Sequence, residues 1–215
     1  MFGLEITIVY DNTTFEDDLK SDWGFACFIK SKDNPNILFD TGTKSKILFE
    51  NMGKLGIEPS DIDEVFISHA HNDHTGGLKD LLKKNREIKV YIPASFNFLS
   101  DNEVITVKQP IKLHKNFYST GELNNVEQSL IIKRENGVVV IAGCAHSKVE
   151  NILKSAQEHG EVKYLIGGLH GFSDYQLIKD IDYICATHCT KNKKQIKKLY
   201  PKKWIEGGVG RVIKV

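Results

Sequence analysis

Cysteine is scarce in this chain. There are four in 215 residues, Cys27, Cys144, Cys185 and Cys189. That is too few for a disulfide scaffold, and no two make the Cys-x₂-Cys pair of a zinc ribbon. Long apolar runs are missing too. None approaches the ~20 residues that a membrane span needs. Met1–Glu5 has no basic start and no long apolar core behind it, so no secretory signal is expected and a cytoplasmic location is. Neither sign of charge dominates. Lys+Arg 29 against Asp+Glu 28 leaves a net charge of +1, which argues against a nucleic-acid or membrane partner. The locally basic stretch 191–203 reads as a solvated helix face. Low-complexity linkers and tandem repeats are also lacking. The expectation is one domain spanning 1–215, long enough to bury a sizeable core.

The pattern of what is present alternates strands with helices. Leu4–Val9, Gly24–Ile29 and Ile37–Asp40 read as strands, the last two joined by the turn cluster Asp33–Asn36. A helix over Lys46–Leu55 follows, stopped by Gly56. Val65–Ile67 is a strand, Leu78–Leu82 a short helix, and Ile88–Ile92 a strand. Val104–Val107 and Ile111–His114 are short strands in a stretch, 94–126, that is hard to place. Ser129–Arg134 and Val138–Ile141 flank Asn136-Gly137 and predict a hairpin. Ser147 and Glu150 match a capping box before a helix whose inner face is Val149, Ile152, Leu153 and Ala156. Tyr164–Ile166 and Tyr183–Ala186 are strands around a helical stretch at 174–181. A helix at about 191–199 and a strand at Val209–Ile213 close the chain.

The densest chemistry lies at Ser68-His69-Ala70-His71-Asn72-Asp73-His74-Thr75-Gly76-Gly77, directly after a strand. Three imidazoles and a carboxylate within six residues call for a metal ion. His69 and His71 would share one side of an extended segment, Asp73 would continue that alternation, and His74 would point elsewhere. One loop could then serve two adjacent ions. Three more histidines, His146, His170 and His188, end predicted strands, where α/β folds build their sites. His159 sits at a helix C-terminus, which favours a cation. His114 reads as structural or surface, Cys27 and Cys185 as core, and Cys144 and Cys189 as rim residues outside the ligand set.

The His-x-His-x-Asp-His pattern resembles the metallo-β-lactamase superfamily. The resemblance implies an α/β (α+β) fold, a four-layer αββα sandwich of two mixed sheets with metal on its rim. It implies that His69, His71 and His146 hold one ion and that Asp73, His74 and His188 hold a second. Zn²⁺ is expected, one or two per chain, with Mn²⁺ or Fe²⁺ as alternatives. Asp40 is expected behind the ligands, orienting an imidazole. The segments Asp22–Phe25, Ile37–Gly42, Gly143–His146, Gly167–His170, Thr187–Thr190 and Gly208–Gly210 are similar to the dihydropterin-6-ylmethyl-(ribofuranosyl)aminobenzene-phosphate synthase-like branch. The di-iron branch carries Glu where this chain has His71.

The resemblance implies a metal-dependent hydrolase in which a metal-bound hydroxide attacks an ester-type substrate. Asp73 would orient the nucleophile, and His170 would stabilise the oxyanion or protonate the leaving group. The alternative is a biosynthetic condensing enzyme of the pterin type. Most two-metal members bridge their ions with an aspartate where this chain has His170. Without that carboxylate the second ion is expected to bind more weakly than the first. The excess positive charge is expected to favour an anionic, phosphate-bearing small molecule.

Overall fold

Alternation along the strands sets the layering. The computed structural model describes residues 3–215, so Met1 and Phe2 of the N-terminal reading lie outside the described residues. In chain order the strands are β1 (Leu4–Tyr10), β2 (Ala26–Ser31), β3 (Ile37–Phe39), β4 (Glu64–Phe66), β5 (Lys89–Pro93), β6 (Val104–Val107), β7 (Ile111–His114), β8 (Phe117–Ser119), β9 (Leu130–Arg134), β10 (Gly137–Ala142), β11 (Val162–Gly168), β12 (Tyr183–Thr187) and β13 (Val212–Lys214). The helices are α1 (Ser45–Lys54), α2 (Asn72–Thr75), α3 (Leu78–Lys84), α4 (Val149–Gln157) and α5 (Lys193–Leu199).

One sheet runs β13-β1-β2-β3-β4-β5-β6 and the other β12-β11-β10-β9-β8-β7. Both are mixed. The first is antiparallel from β13 to β3 and parallel from β3 to β6. The second is parallel across β10, β11 and β12 and antiparallel beyond. Inward-facing residues of both, among them Ile6, Ile8, Phe39, Phe66, Leu130, Ile132, Val139 and Ile141, form one buried cluster between the sheets. The alternate residues face helices. Val9, Leu38, Val65 and Val90 pack with Leu48 and Met52 of α1 and Leu78, Leu81 and Leu82 of α3. On the far side Val138, Val140 and Ala142 pack with Val149, Ile152, Leu153 and Ala156 of α4 and with Ile196 of α5. The result is the αββα sandwich. Among the described residues, no helix is long and apolar enough to cross a membrane.

Phe39 and Phe66 stack at 5.4 Å between ring centroids within the central layer. Phe66→Ala should cost about 3–5 kcal/mol, the usual range for a buried ring. A urea titration reads that loss directly, and a loss below 1 kcal/mol would show that the layer repacks.

Several boundaries differ from expectation. Lys148, not Ser147, caps α4, with φ 76° and no side-chain cap bond. Ser147 instead gives its hydroxyl and amide to Glu127, at 2.6 and 2.8 Å, so there is no capping box. The stretch 174–181 contains only a 3₁₀ turn, Tyr175–Ile178. The last strand starts at Val212 rather than Val209, because Gly208 and Gly210 take left-handed backbone first. The short strand β8, in the ambiguous stretch, has no expectation to compare with. His159 stacks on Tyr118 at 4.2 Å, and burial lowers its pKa against the preference of a helix end for a cation.

Candidate metal centre

The parallel strands all deliver their C-terminal ends to one rim. β3 is followed by Asp40, β4 by Ser68-His69, β10 by Gly143–His146, β11 by His170 and β12 by His188. The chain turns sharply there. Asp40, Ala145, His170 and His188 take positive φ of 56°, 55°, 46° and 45°. L-residues adopt that backbone at a cost of about 1–2 kcal/mol each. The Gly76-Gly77 pair serves close approach instead. A Cβ on Gly76 would overlap the carbonyl of Thr43, so α2 packs against the loop after β3 only without a side chain there.

His69 is buried and held by Ser68, whose Oγ lies 2.8 Å from His69 Nδ1. Its Nε2 faces His71 Nδ1 at 3.1 Å. The His146 ring stands 4.9 Å from that of His69 and 4.8 Å from that of His71. These three residues, expected around one ion, are therefore together.

The second expected set also converges, though by another route. Asp73 does not continue the extended alternation, because His71 is the N-cap of α2 and the chain turns helical at Asn72. The helical turn places Asp73 Oδ2 3.8 Å from His74 Nε2 and 3.3 Å from His188 Nε2. His74 turns its Nδ1 onto Asp40 Oδ2 at 2.7 Å, leaving Nε2 for the site. Asp40 is fully buried and also accepts the Ser68 amide and hydroxyl, each at 2.7 Å. It thus orients one imidazole directly and steers the second through Ser68. His188 is fixed by Asn12 Oδ1 at 3.0 Å on Nδ1 and by Asp11 Oδ1 at 2.9 Å on its amide.

Burial, reinforced by neighbouring imidazoles, pushes the pKa of His69 and His74 far down. Burial also lowers that of His146. Neutral rings keep their lone pairs free, as metal ligation requires. Burial alone would raise the Asp73 pKa. The His188 imidazole beside its carboxylate, with the neighbouring His74, outweighs it and leaves Asp73 lowered. Asp40 goes the other way, raised chiefly by burial. His146 Nε2 is buried and has no hydrogen-bond partner among the described residues, and the buried His188 Nε2 faces only the Asp73 carboxylate, at 3.3 Å. An orphaned imidazole nitrogen in one set and an imidazole–carboxylate pair in the other both fit a bound cation.

His170 stands apart from both sets. Its ring lies 5.0 Å from that of His146, at the mouth of a cavity of about 440 Å³ lined also by Leu169, Phe172 and Leu177. Four contributors lay outside the sequence reading of the site: Asp11, Asn12, Glu127 and Trp23. Trp23 is 57% exposed, yet its Nε1 donates to Asp73 Oδ2 at 2.8 Å and its ring lies 5.1 Å from His188. A tryptophan in an otherwise polar loop was the available signal. Cys144, placed on the rim outside the ligand set, has its Sγ only 3.2 Å from His74 Nε2. His114 is structural, its Nε2 bonded to Glu64 at 2.7 Å. Cys27 and Cys185 are in the central core.

Comparison with known proteins matches this geometry. The model of the metallo-beta-lactamase superfamily aligns with residues 24–169. An uncharacterized protein of Methanocaldococcus jannaschii, MJ0448, is 27% identical over 97% of this chain and 99% of its own length. The 7,8-dihydropterin-6-methyl-4-(beta-D-ribofuranosyl)-aminobenzene-5'-phosphate synthase of the same organism is 26% identical, covering 86% of each chain. Among solved structures, Tm1679, described as a metal-dependent hydrolase of the beta-lactamase superfamily, superposes with a TM-score of 0.79 over 99% of both chains at 23% identity.

Proposed function

Because the chain belongs to the metallo-beta-lactamase superfamily, we propose that it is a metal-dependent hydrolase acting on an ester-type, phosphate-bearing small molecule, with Zn²⁺ as its ion and Mn²⁺ or Fe²⁺ as alternatives. The observation that carries this reading is the convergence of two ligand sets on one rim: the unpartnered, buried Nε2 of His146 beside His69, and the His188 Nε2 facing Asp73 Oδ2 at 3.3 Å beside His74. His69, His71 and His146 would hold one ion, and Asp73, His74 and His188 the other. When bound, such ions lower the pKa of water from 15.7 to about 7 and polarise an ester oxygen.

The chain's own residues do the rest. Asp73 stays ionised and orients the attacking water, its Oδ2 fixed by the Trp23 indole. His170 lines the same cavity as His146 and would protonate the leaving oxygen or stabilise the oxyanion. The cavity carries Lys148 on its lining, a cation suited to a phosphate. Glu150 and Asp174 on the same lining would turn away a substrate with further negative charge near them.

The second reading, a condensing enzyme on a pterin and a phosphorylated aminobenzene riboside, is favoured by the relative named as a synthase, which aligns along 86% of this chain. One experiment separates the two. Zinc-reconstituted protein is offered phosphodiesters, phosphomonoesters, lactones and thioesters, with His71→Ala in parallel. Pyrophosphate release is followed in separate reactions with phosphoribosyl diphosphate. Hydrolysis of at least one phosphate ester, lost in His71→Ala, is the expected result. Pyrophosphate release without any hydrolysis would install the synthase reading instead.

A further inference from the structure

We propose that Cys144 supplies a thiolate ligand shared by the two metal sets, in the role that a bridging carboxylate would otherwise fill. The inference rests on the metal reading above and adds a residue to it. The ligand atoms of His69, Cys144 and His146 all lie within 4.8 Å of one another, and those of His74, Cys144 and His188 do as well. Cys144 is the member common to both groups. Its side chain is 3% exposed, yet its Sγ is directed to the rim, 3.2 Å from His74 Nε2, rather than into the core. His188, equally buried at 3%, aims its Nε2 into the same space, with Asp73 Oδ2 at 3.3 Å.

The loop is built to hold that position. Gly143, just before Cys144, has no room for a Cβ, which would overlap the Ser68 hydroxyl that serves His69. Gly168, at the end of β11, lies against both cysteines. A Cβ there would come within 3.3 Å of Cys144 Cα and 2.8 Å of Cys189 Sγ. The cysteine loop is thus packed between Ser68, which serves His69, and the end of β11.

Charge gives the reason for a thiolate. Two divalent ions bring four positive charges, and Asp73 is the one carboxylate in the expected ligand set. β11 ends in His170, which returns no negative charge. A thiolate from Cys144 cancels one more charge between the ions, where repulsion is greatest. Zinc accepts thiolate and imidazole together without difficulty. The proposal therefore revises the expectation of a weak second ion: the second ion should bind tightly while Cys144 is intact.

Cobalt(II) loading tests it, because a cobalt–thiolate bond produces a charge-transfer band in the near ultraviolet that imidazole and carboxylate do not. Wild type, Cys144→Ser, Cys144→Ala and Cys189→Ala are compared, each loaded with two equivalents of cobalt(II). The band is expected in wild type and in Cys189→Ala and should vanish in both Cys144 variants. Zinc titration of Cys144→Ser should show the second ion weakened at least tenfold. Visible d–d bands without the charge-transfer band in wild type would overturn the thiolate and leave the metal reading standing. A band that survives in Cys144→Ser but is lost in Cys189→Ala would assign the thiolate to the other cysteine and overturn the proposal. No cobalt bound at all would bring down the metal reading itself.

Discussion

His188→Ala should leave the protein with one tightly bound ion in place of two. The ring is held from behind by Asn12, the backbone amide by Asp11, and Nε2 is offered to a space shared with His74, Asp73 and Cys144. Nothing nearby can replace it, since the next imidazole, His170, faces the other side, toward His146. Residues that only orient a ligand are worth about 10–100-fold in metal affinity, so loss of the ligand itself should exceed about 100-fold for that ion. His69→Ala and His146→Ala should do the same to the other ion. Zinc titration against a chromophoric chelator, with metal content measured after desalting, reads both. Unchanged metal content in all three variants would dismantle the site as described.

Asp40→Ala should carry the largest stability cost of any rim substitution. One carboxylate accepts the Ser68 amide, the Ser68 hydroxyl and His74 Nδ1, all buried. Removing it strands the Ser68 amide and His74 Nδ1 and leaves the Ser68 hydroxyl with His69 alone. A buried network broken on one side loses about 3–5 kcal/mol. Alanine also fits the left-handed backbone at φ 56° worse than aspartate does. Asp40→Asn is the companion variant, since asparagine tolerates that backbone and keeps one acceptor. Its zinc affinity should fall about 10–100-fold in protein that circular dichroism shows to be folded. A folded Asn variant with full affinity would reduce Asp40 to a structural role. The same three bonds serve both stability and the orientation of the ligands.

Much of this was legible because it depends on short-range pattern. Asn136-Gly137 between two apolar runs names the hairpin, while its faces were not legible, because Leu130–Ile132 and Val138–Ala142 are apolar throughout and both sides are buried. The stripe Val149, Ile152, Leu153 and Ala156 is buried as its spacing requires, even though the cap is different. Ser147 shows why the cap failed. A buried Glu127, twenty residues upstream, competes for its hydroxyl and wins, and no local rule registers that. The six histidine and aspartate residues stood out because metal chemistry needs those residue types in numbers. Asp11, Asn12 and Trp23 did not. Asn12 meets His188 across 176 residues of sequence, and only the pairing of sheets brings them together. Cys144 stayed outside the site for a related reason. Its neighbour in space is His74, seventy residues away, while its neighbour in sequence, His146, faces the other group.

The left-handed turns at Asp40, Ala145, His170 and His188 have a consequence for how the protein ages in a cell. Each is a residue held in backbone it would leave if released, and three lie at or beside proposed ligands. An ion bound only to the closed rim stabilises it by about 2.7 kcal/mol at a hundredfold excess over its dissociation constant. With the ion gone, the rim becomes the cheapest part of the molecule to open while both sheets stay shut. Proteases act on such openings, so cleavage of the metal-free protein should begin in the loops after β10 and β12 and be slowed by zinc. The lifetime of the chain would then follow the supply of its metal.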